Sequence, residues 1–427
     1  MIFHRHLRTL VPCLHRQFSV STRCLEVRPI TKLPPRIQPN YTKSRHGEIE
    51  LQWPAGSRPR NIMFVKKPGV QVTRDALVEF AEHITTTYPE TNIILEPTVA
   101  ASLHHRLSKP VYTLPPPNQH SSPFPFTQSP DARTPYHFAT DEPTSPPISP
   151  ASPDPTQPFF ARNLYQTYAD AVITLGGDGT ILYAASLFST TTSVPPFLTF
   201  AMGTLGFLGT HKYSTYESAF RSLYTAATAS SAPLQVLPRH RLSAVSSSGH
   251  QLNAMNELTL HRGQTPHLAH IDIEVNGHLL TEAVADGIII STPTGSTAYS
   301  LSSGGCILHP SVGSLLLTPI CPRSLSFRPL VLPRDVEILV RLSRRSRGNG
   351  VEVSVDGRTW GTMAVGEEVR VRLEGGGGHA LGTGEIENSG IGMLGIPCVK
   401  REGGEDAWVG GLNRLLKFNY AFGEEME

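Results

Sequence analysis

The apolar positions of this chain change period along its length, and the changes divide it. Residues 62–65 form a short unbroken apolar run closed by Lys66-Lys67-Pro68-Gly69, the pattern of a buried strand. Ala76, Leu77, Phe80 and Ile84 then recur at helical spacing, predicting a helix over 75–86 with Thr73 as its N-cap. A second strand at 93–95 and a second helix over 98–107 follow, and this alternation predicts a parallel α/β layer. The pattern resumes with a strand over 171–175 that runs directly into Gly176-Gly177-Asp178-Gly179-Thr180 and a helix marked by Ile181, Leu182, Ala185, Leu187 and Phe188. A strand over 197–201 leads to a second glycine loop, 203–208, and a helix near 216–226.

After about Leu234 short β-rich stretches alternate with turn signals. Asn276-Gly277 and Asp356-Gly357 are hairpin turns, because both central positions tolerate positive φ. The fold class expected is therefore a doubly wound α/β domain over 58–234 followed by an all-β domain over 235–395. A C-terminal segment, 396–427, carries a short amphipathic helical pattern (Leu412, Leu415, Leu416) and is expected to pack back on the α/β domain. From Pro110 to Pro158, 15 of 49 residues are proline, so the backbone donors that regular elements need are missing. The segment reads as a disordered insertion.

Composition adds three exclusions and an address. With 37 basic and 35 acidic side chains the net charge is +2, without the basic surplus of a nucleic-acid binder. No apolar run approaches the roughly 18 residues that span a bilayer, which argues against membrane insertion. The five cysteines are scattered without ligand spacing, so neither a disulfide framework nor a protein metal site is expected. Up to Arg23 there are four arginines and no acidic residue, with Phe3, Leu7, Leu10, Leu14 and Phe18 at helical spacing. That is the signature of a mitochondrial transit peptide, and residues 1 to about 40 are left out of the fold.

Three segments carry chemistry. The glycines of 176–180 let backbone approach an anion closely at a helix N-terminus, forming a phosphate cradle, and Asp178 in its middle suits a general base or a partner for Mg²⁺. A tight turn whose aspartate caps the helix is the alternative at this point. The second segment runs from Asp286 through an apolar strand to Ser300, and seven of the ten residues 291–300 bear hydroxyls suited to ribose, amide and phosphate groups. Tyr299 offers a flat face to a ring. The third is Asn256-Glu257 within 254–260.

In this order these segments resemble the NAD kinase family, together with Arg328-Pro329-Leu330-Val331-Leu332-Pro333 and Leu412-Asn413-Arg414-Leu415-Leu416. The first motif is shared with diacylglycerol and sphingosine kinases; the run 293–300 is more specific. The resemblance implies transfer of the γ-phosphoryl of ATP, with Mg²⁺, to the 2′-hydroxyl of the adenosine ribose of NAD(H). It implies Asp178 as the general base, with Gly176, Gly177, Gly179 and Thr180 at the phosphates. It further implies Asn256, Glu257, His267, Asp286, Thr297, Ala298, Tyr299 and Ser300, with Asp178 and Gly179, at the dinucleotide. Val284 stands where some members have an arginine, which puts that contact in doubt. A mitochondrial, homo-oligomeric enzyme is expected; a lipid kinase or a silent dinucleotide-binding protein remain as alternatives.

Overall fold

The computed structural model describes residues 26–45, 47–115, 159–203, 206–226, 234–348, 350–375, 395–401 and 407–416. The expected transit peptide up to residue 25 and residues 116–158 of the Pro-rich insertion lie outside the described residues.

The first region contains strands β1 (Val27–Pro29), β2 (Asn40–Lys43), β3 (Ile49–Gln52), β4 (Asn61–Lys66), β5 (Asn92–Leu95), β6 (Val111–Thr113), β7 (Ala171–Gly176), β8 (Phe197–Ala201), β9 (His211–Lys212) and β10 (Leu234–Arg239). Its helices are α1 (Gln71–Thr87), α2 (Pro97–Leu103), α3 (Phe159–Tyr168), α4 (Asp178–Ser186) and α5 (Tyr216–Thr225). The second region contains β11 (Leu242–Ser246), β12 (Gln251–Ala254), β13 (Glu257–His261), β14 (Ala269–Val275), β15 (His278–Ala285) and β16 (Gly287–Ser291). After the short helix α6 (Tyr299–Ser302) it continues with β17 (Ser314–Ile320), β18 (Leu330–Pro333), β19 (Glu337–Leu342), β20 (Gly350–Val355), β21 (Arg358–Ala364) and β22 (Glu368–Leu373). β23 (Ile396–Val399) and α7 (Ala407–Leu416) follow.

The first sheet runs β1-β6-β5-β4-β7-β8-β23-β10-β3-β2, with β9 beside β8. It is parallel from β1 to β23 and antiparallel beyond. Every residue of β4 and β7 is buried, as expected of parallel strands covered by helices on both faces. On one face Phe80 of α1 meets Phe64, Phe200 and Phe220 edge-on at 5.4, 5.4 and 6.0 Å, locking α1 and α5 onto the strands. Winding proceeds from β4 toward β5 and β6, whereas β7 returns to the other side of β4. The topological switch point, where ligands bind in such sheets, therefore lies between the carboxyl ends of β4 and β7.

The second region stacks two antiparallel sheets, β12-β11-β22-β19-β14-β15 and β18-β17-β16-β13-β20-β21. Their inner faces meet in one core that includes Leu258, Ile271, Ile288, Ile338, Val353 and Trp360. Both expected hairpin turns are present: φ is 51° and 78° at Asn276 and Gly277, and 48° and 72° at Asp356 and Gly357.

Several local expectations differ from the structure. Thr73 does not cap α1; the helix begins at Gln71 after Val70, and the Thr73 hydroxyl donates backward to Lys67 and Val70 carbonyls. The α-helix from Pro97 stops at Leu103, before a 3₁₀ turn over His104–Arg106. The ordered fold also starts earlier than expected. β1 pairs with β6, Ile30 is fully buried, and the Trp53 indole donates to the Leu223 carbonyl at 2.7 Å. Strands of three or four residues are too short to display a period, and their proline-flanked setting resembled a leader. Finally, β10 joins the first sheet although nearly all of it falls in the stretch 235–395 expected to form the all-β domain; β23 of the C-terminal segment, which was expected to pack back on the α/β domain, joins the same sheet.

Candidate active site

Gly176 closes β7, Gly177 caps α4, and Asp178 is the first residue of that helix. The Asp178 carboxylate does not cap its own helix. Oδ2 accepts the N–H of Phe207 at 2.9 Å and Oδ1 that of Leu208 at 3.0 Å, so the second glycine loop holds it from outside. A Cβ at Gly206 would overlap Asp178 Oδ1, and one at Gly176 would overlap the buried Thr180 hydroxyl. Both glycines are thus close-approach positions rather than flexible ones. Among the described residues each carboxylate oxygen accepts a single N–H, and its second lone-pair direction can take a ligand. Lys66 and Lys67 end β4 across the switch point, and Lys67 lies directly against Gly176.

The sandwich supplies the opposite wall. Asn256 and Glu257 are buried at the start of β13, yet Asn256 Oδ1 and Glu257 Oε2 have no hydrogen-bond partner among the described residues. Their backbone is held by Asp356, whose carboxylate accepts the N–H groups of Met255, Asn256 and Glu257 at 2.9, 2.6 and 3.2 Å. Burial and then the Asp356 carboxylate push the Glu257 carboxyl up to about 8. Asp356 is itself raised by burial, but its three amide donors oppose that shift. The proton therefore resides on Glu257, whose outer oxygen has no donor to stabilise the charged form.

This assignment has a testable consequence. Between the ordinary carboxylate range and about pH 8 the folded chain keeps a proton that the unfolded chain releases, so stability falls as pH rises through that window. The full shift corresponds to up to about 5 kcal/mol. Glu257→Gln, which cannot ionise, is expected to gain in melting temperature relative to the parent between pH 5 and pH 8.5. A gap independent of pH would place the proton elsewhere.

The hydroxyl-rich loop after β16 crosses Asn256: the Thr292 N–H bonds to the Asn256 carbonyl at 2.8 Å, and a Cβ at Gly295 would overlap that same oxygen. Most of its hydroxyls build the loop instead of facing outward. Thr292 Oγ1 donates to the Met255 carbonyl at 2.6 Å, Ser296 bonds to the Pro293 carbonyl and the Leu308 N–H, and Ser300 bonds to Thr318. Thr297, Ala298 and Tyr299 are accessible; Ser300 is fully buried. Buried Arg239 joins the walls, its guanidinium donating to the Phe207 carbonyl at 3.1 Å and lying 3.5 Å from Thr294 Oγ1.

Gly176 to Thr180, Asn256, Glu257 and residues 297–299 are thereby gathered at one end of the sandwich. Asp286 and His267 are not. Asp286 lies at the other end of β16, about 17 Å along a five-residue strand, and pairs with Arg262 at 2.5 Å. His267 is exposed in the connection leading to β14. Lys67, Arg239, Asp356 and Arg358 were not singled out from sequence. The Asp356-Gly357 pair was visible only as a turn, and Lys66-Lys67 only as a strand boundary.

The model of the ATP-NAD kinase N-terminal domain matches residues 97–227, and that of the C-terminal domain matches 255–375. The mitochondrial NADH kinase of Saccharomyces cerevisiae is 34% identical over 94% of this chain and 90% of its own. That of Schizosaccharomyces pombe is 36% identical over 87% of this chain and 78% of its own. The crystal structure of yeast NADH kinase complexed with NADH superposes with a TM-score of 0.71 at 32% identity, covering 93% of this chain and 98% of that one.

Proposed function

This chain belongs to the NAD kinase family, and from that we infer that it is a mitochondrial NAD(H) kinase. It transfers the γ-phosphoryl group of ATP to the 2′-hydroxyl of the adenosine ribose of NAD(H), giving NADP(H). The observation that carries the mechanism is the Asp178 carboxylate, fixed by two backbone amides at the first turn of α4 beside the switch point.

A ribose hydroxyl is a poor nucleophile, and Asp178 accepts its proton as the oxygen–phosphorus bond forms and ADP leaves. The backbone of Gly176, Gly177 and Gly179 and the amino end of α4 receive the phosphates. Lys67, exposed beside Gly176, adds a mobile cation. On the opposite wall Asn256 Oδ1, a buried acceptor, and the protonated Glu257 carboxyl, which both donates and accepts, lack partners among the described residues, and hydroxyl and amino groups of the adenosine can supply them. The accessible residues Thr297, Ala298 and Tyr299 border the remainder of the dinucleotide.

Among the described residues no three His, Cys, Asp or Glu side chains converge in a metal cage. A magnesium ion would arrive with the triphosphate, and Asp178 would be the carboxylate placed to help hold it. When bound, the ion neutralises phosphate charge. Asp286 and His267, at the far end of the sandwich, reach the same dinucleotide only when a second copy of the chain presents them, which gives the homo-oligomer its purpose.

The decisive assay offers purified protein ATP and Mg²⁺ with NAD⁺ or NADH separately and scores NADP⁺ and NADPH, on a fraction sized by light scattering. Turnover of at least one is expected, from an oligomer. Binding without turnover would restore the silent dinucleotide binder, and phosphorylation of diacylglycerol or a sphingoid base the lipid kinase. Full activity in a monomer would remove Asp286 and His267 from the site.

A further inference from the structure

The tip of the β20–β21 hairpin touches both halves of the site. Its first turn residue, Asp356, holds the backbone of Met255, Asn256 and Glu257 through three N–H groups. Two residues later Arg358 reaches the other half. Its Nη1 donates to Ser186 Oγ at 2.7 Å, and its guanidinium lies 4.7 Å from the centre of the Tyr183 ring. Ser186 and Tyr183 both belong to α4, the helix whose first residue is Asp178. The Tyr183 hydroxyl in turn donates to Glu96, at the start of α2, so the chain of contacts continues into the α/β layer. Burial pushes the Glu96 carboxyl up, opposed in turn by the Tyr183 hydroxyl, Lys66 and Arg358.

α4 also packs its buried face, Ile181, Ala184 and Ala185, into the core with Met63, Val65 and Val172, and it is attached at both ends. Asp178 is held by the 206–208 loop, and beyond the C-terminus the Asn253 N–H bonds to the Ser189 carbonyl at 2.9 Å. That apolar packing is non-directional, so Arg358 adds a directed contact from the sandwich side, and without it a small rotation of the helix moves the Asp178 oxygens relative to Asn256 and Glu257. A planar guanidinium that lies over a ring while donating to a hydroxyl restricts orientation as well as distance, which a lysine cannot do equally.

We propose that Arg358 is a positioning residue for phosphoryl transfer: through α4 it sets where Asp178 stands relative to the Asn256–Glu257 wall that Asp356 holds from the same hairpin. This rests on Asp178 being the base, and the geometric part stands apart from it. Misalignment of a reacting group by about 1 Å costs on the order of 10²-fold. Arg358→Ala is therefore expected to lower kcat 10- to 100-fold while KM for ATP and for NAD(H) stays within about threefold. In a double-mutant cycle the loss must shrink to less than threefold in the Asp178→Asn background, because there is no longer a base to misplace.

Hydrogen–deuterium exchange reads the geometry without turnover. Amides of α4 in Arg358→Ala are expected to exchange at least tenfold faster, with the β14–β15 hairpin unchanged. Arg358→Gln, which keeps a donor for Ser186 but loses the cation, serves where the alanine variant folds poorly and is expected to lie between the two. Unchanged exchange in α4, kcat within twofold of the parent, or losses that multiply fully with Asp178→Asn would each overturn the proposal. If the parent chain proved inactive toward NAD(H), the exchange result alone would decide the positioning claim, and the kinase reading would fail separately.

Discussion

Asp178→Asn is expected to lower kcat at least 10²-fold, about 2.7 kcal/mol of transition-state stabilisation, with NAD(H) affinity held within a few fold. The asparagine keeps the shape but not the basicity of the side chain, so proton removal from the ribose hydroxyl loses its acceptor. The structure also foresees a second cost. Both carboxylate oxygens accept backbone N–H groups, from Phe207 and Leu208, and the amide replaces one acceptor by an NH₂ that faces a donor. That conflict loosens the second glycine loop without removing the dinucleotide wall at Asn256 and Glu257. Equilibrium binding of NAD(H), measured beside steady-state rates, separates the two contributions. Turnover near the parent value would exclude Asp178 as the base, whereas a collapse of binding would make its role one of loop architecture.

Arg241→Met is expected to be the most damaging change away from the chemistry, lowering unfolding free energy by about 3–5 kcal/mol. Arg241 is 1% exposed and four of its five N–H groups are bonded: Nε and Nη2 to Glu374 at 2.9 and 2.6 Å, Nη1 to the Phe188 carbonyl and Nη2 to the Thr191 carbonyl. The two carbonyls belong to the segment that follows α4, while Arg241 and Glu374 flank the sandwich strands β11 and β22. The ion pair therefore joins the two regions. Removing the cation leaves Glu374 buried with, among the described residues, only the Gly395 N–H, at 3.0 Å, to compensate its charge. Methionine fills most of the volume, so the loss reports electrostatics more than a cavity. A denaturant midpoint shifted by the equivalent of less than 1 kcal/mol would show that solvent or a relaxed backbone takes over the pairing.

Features set by neighbours along the chain were legible in the amino-acid sequence. The buried runs of β4, β7 and β16 and the helical face of α1 are statements about period. The Asn276-Gly277 and Asp356-Gly357 turns follow from the positive φ those residues tolerate. A strand leading through glycines into a helix creates an anion-accepting end, and the proposed phosphate cradle is that local arrangement. What escaped depended on groups that meet through space. The Asp356 carboxylate serves amides 99 to 101 residues away; nothing within a turn reveals such a partner. Whether a β-rich stretch such as β10 joins one sheet or the other is equally a matter of long-range pairing. A serine or threonine hydroxyl satisfies backbone or ligand with the same chemistry, which is why the 291–300 loop suggested an open array of ligand groups but folds with most of them turned inward. The proton on Glu257 was likewise decided by tertiary structure, because it depends on how far water is excluded and on which carboxylate receives the available donors.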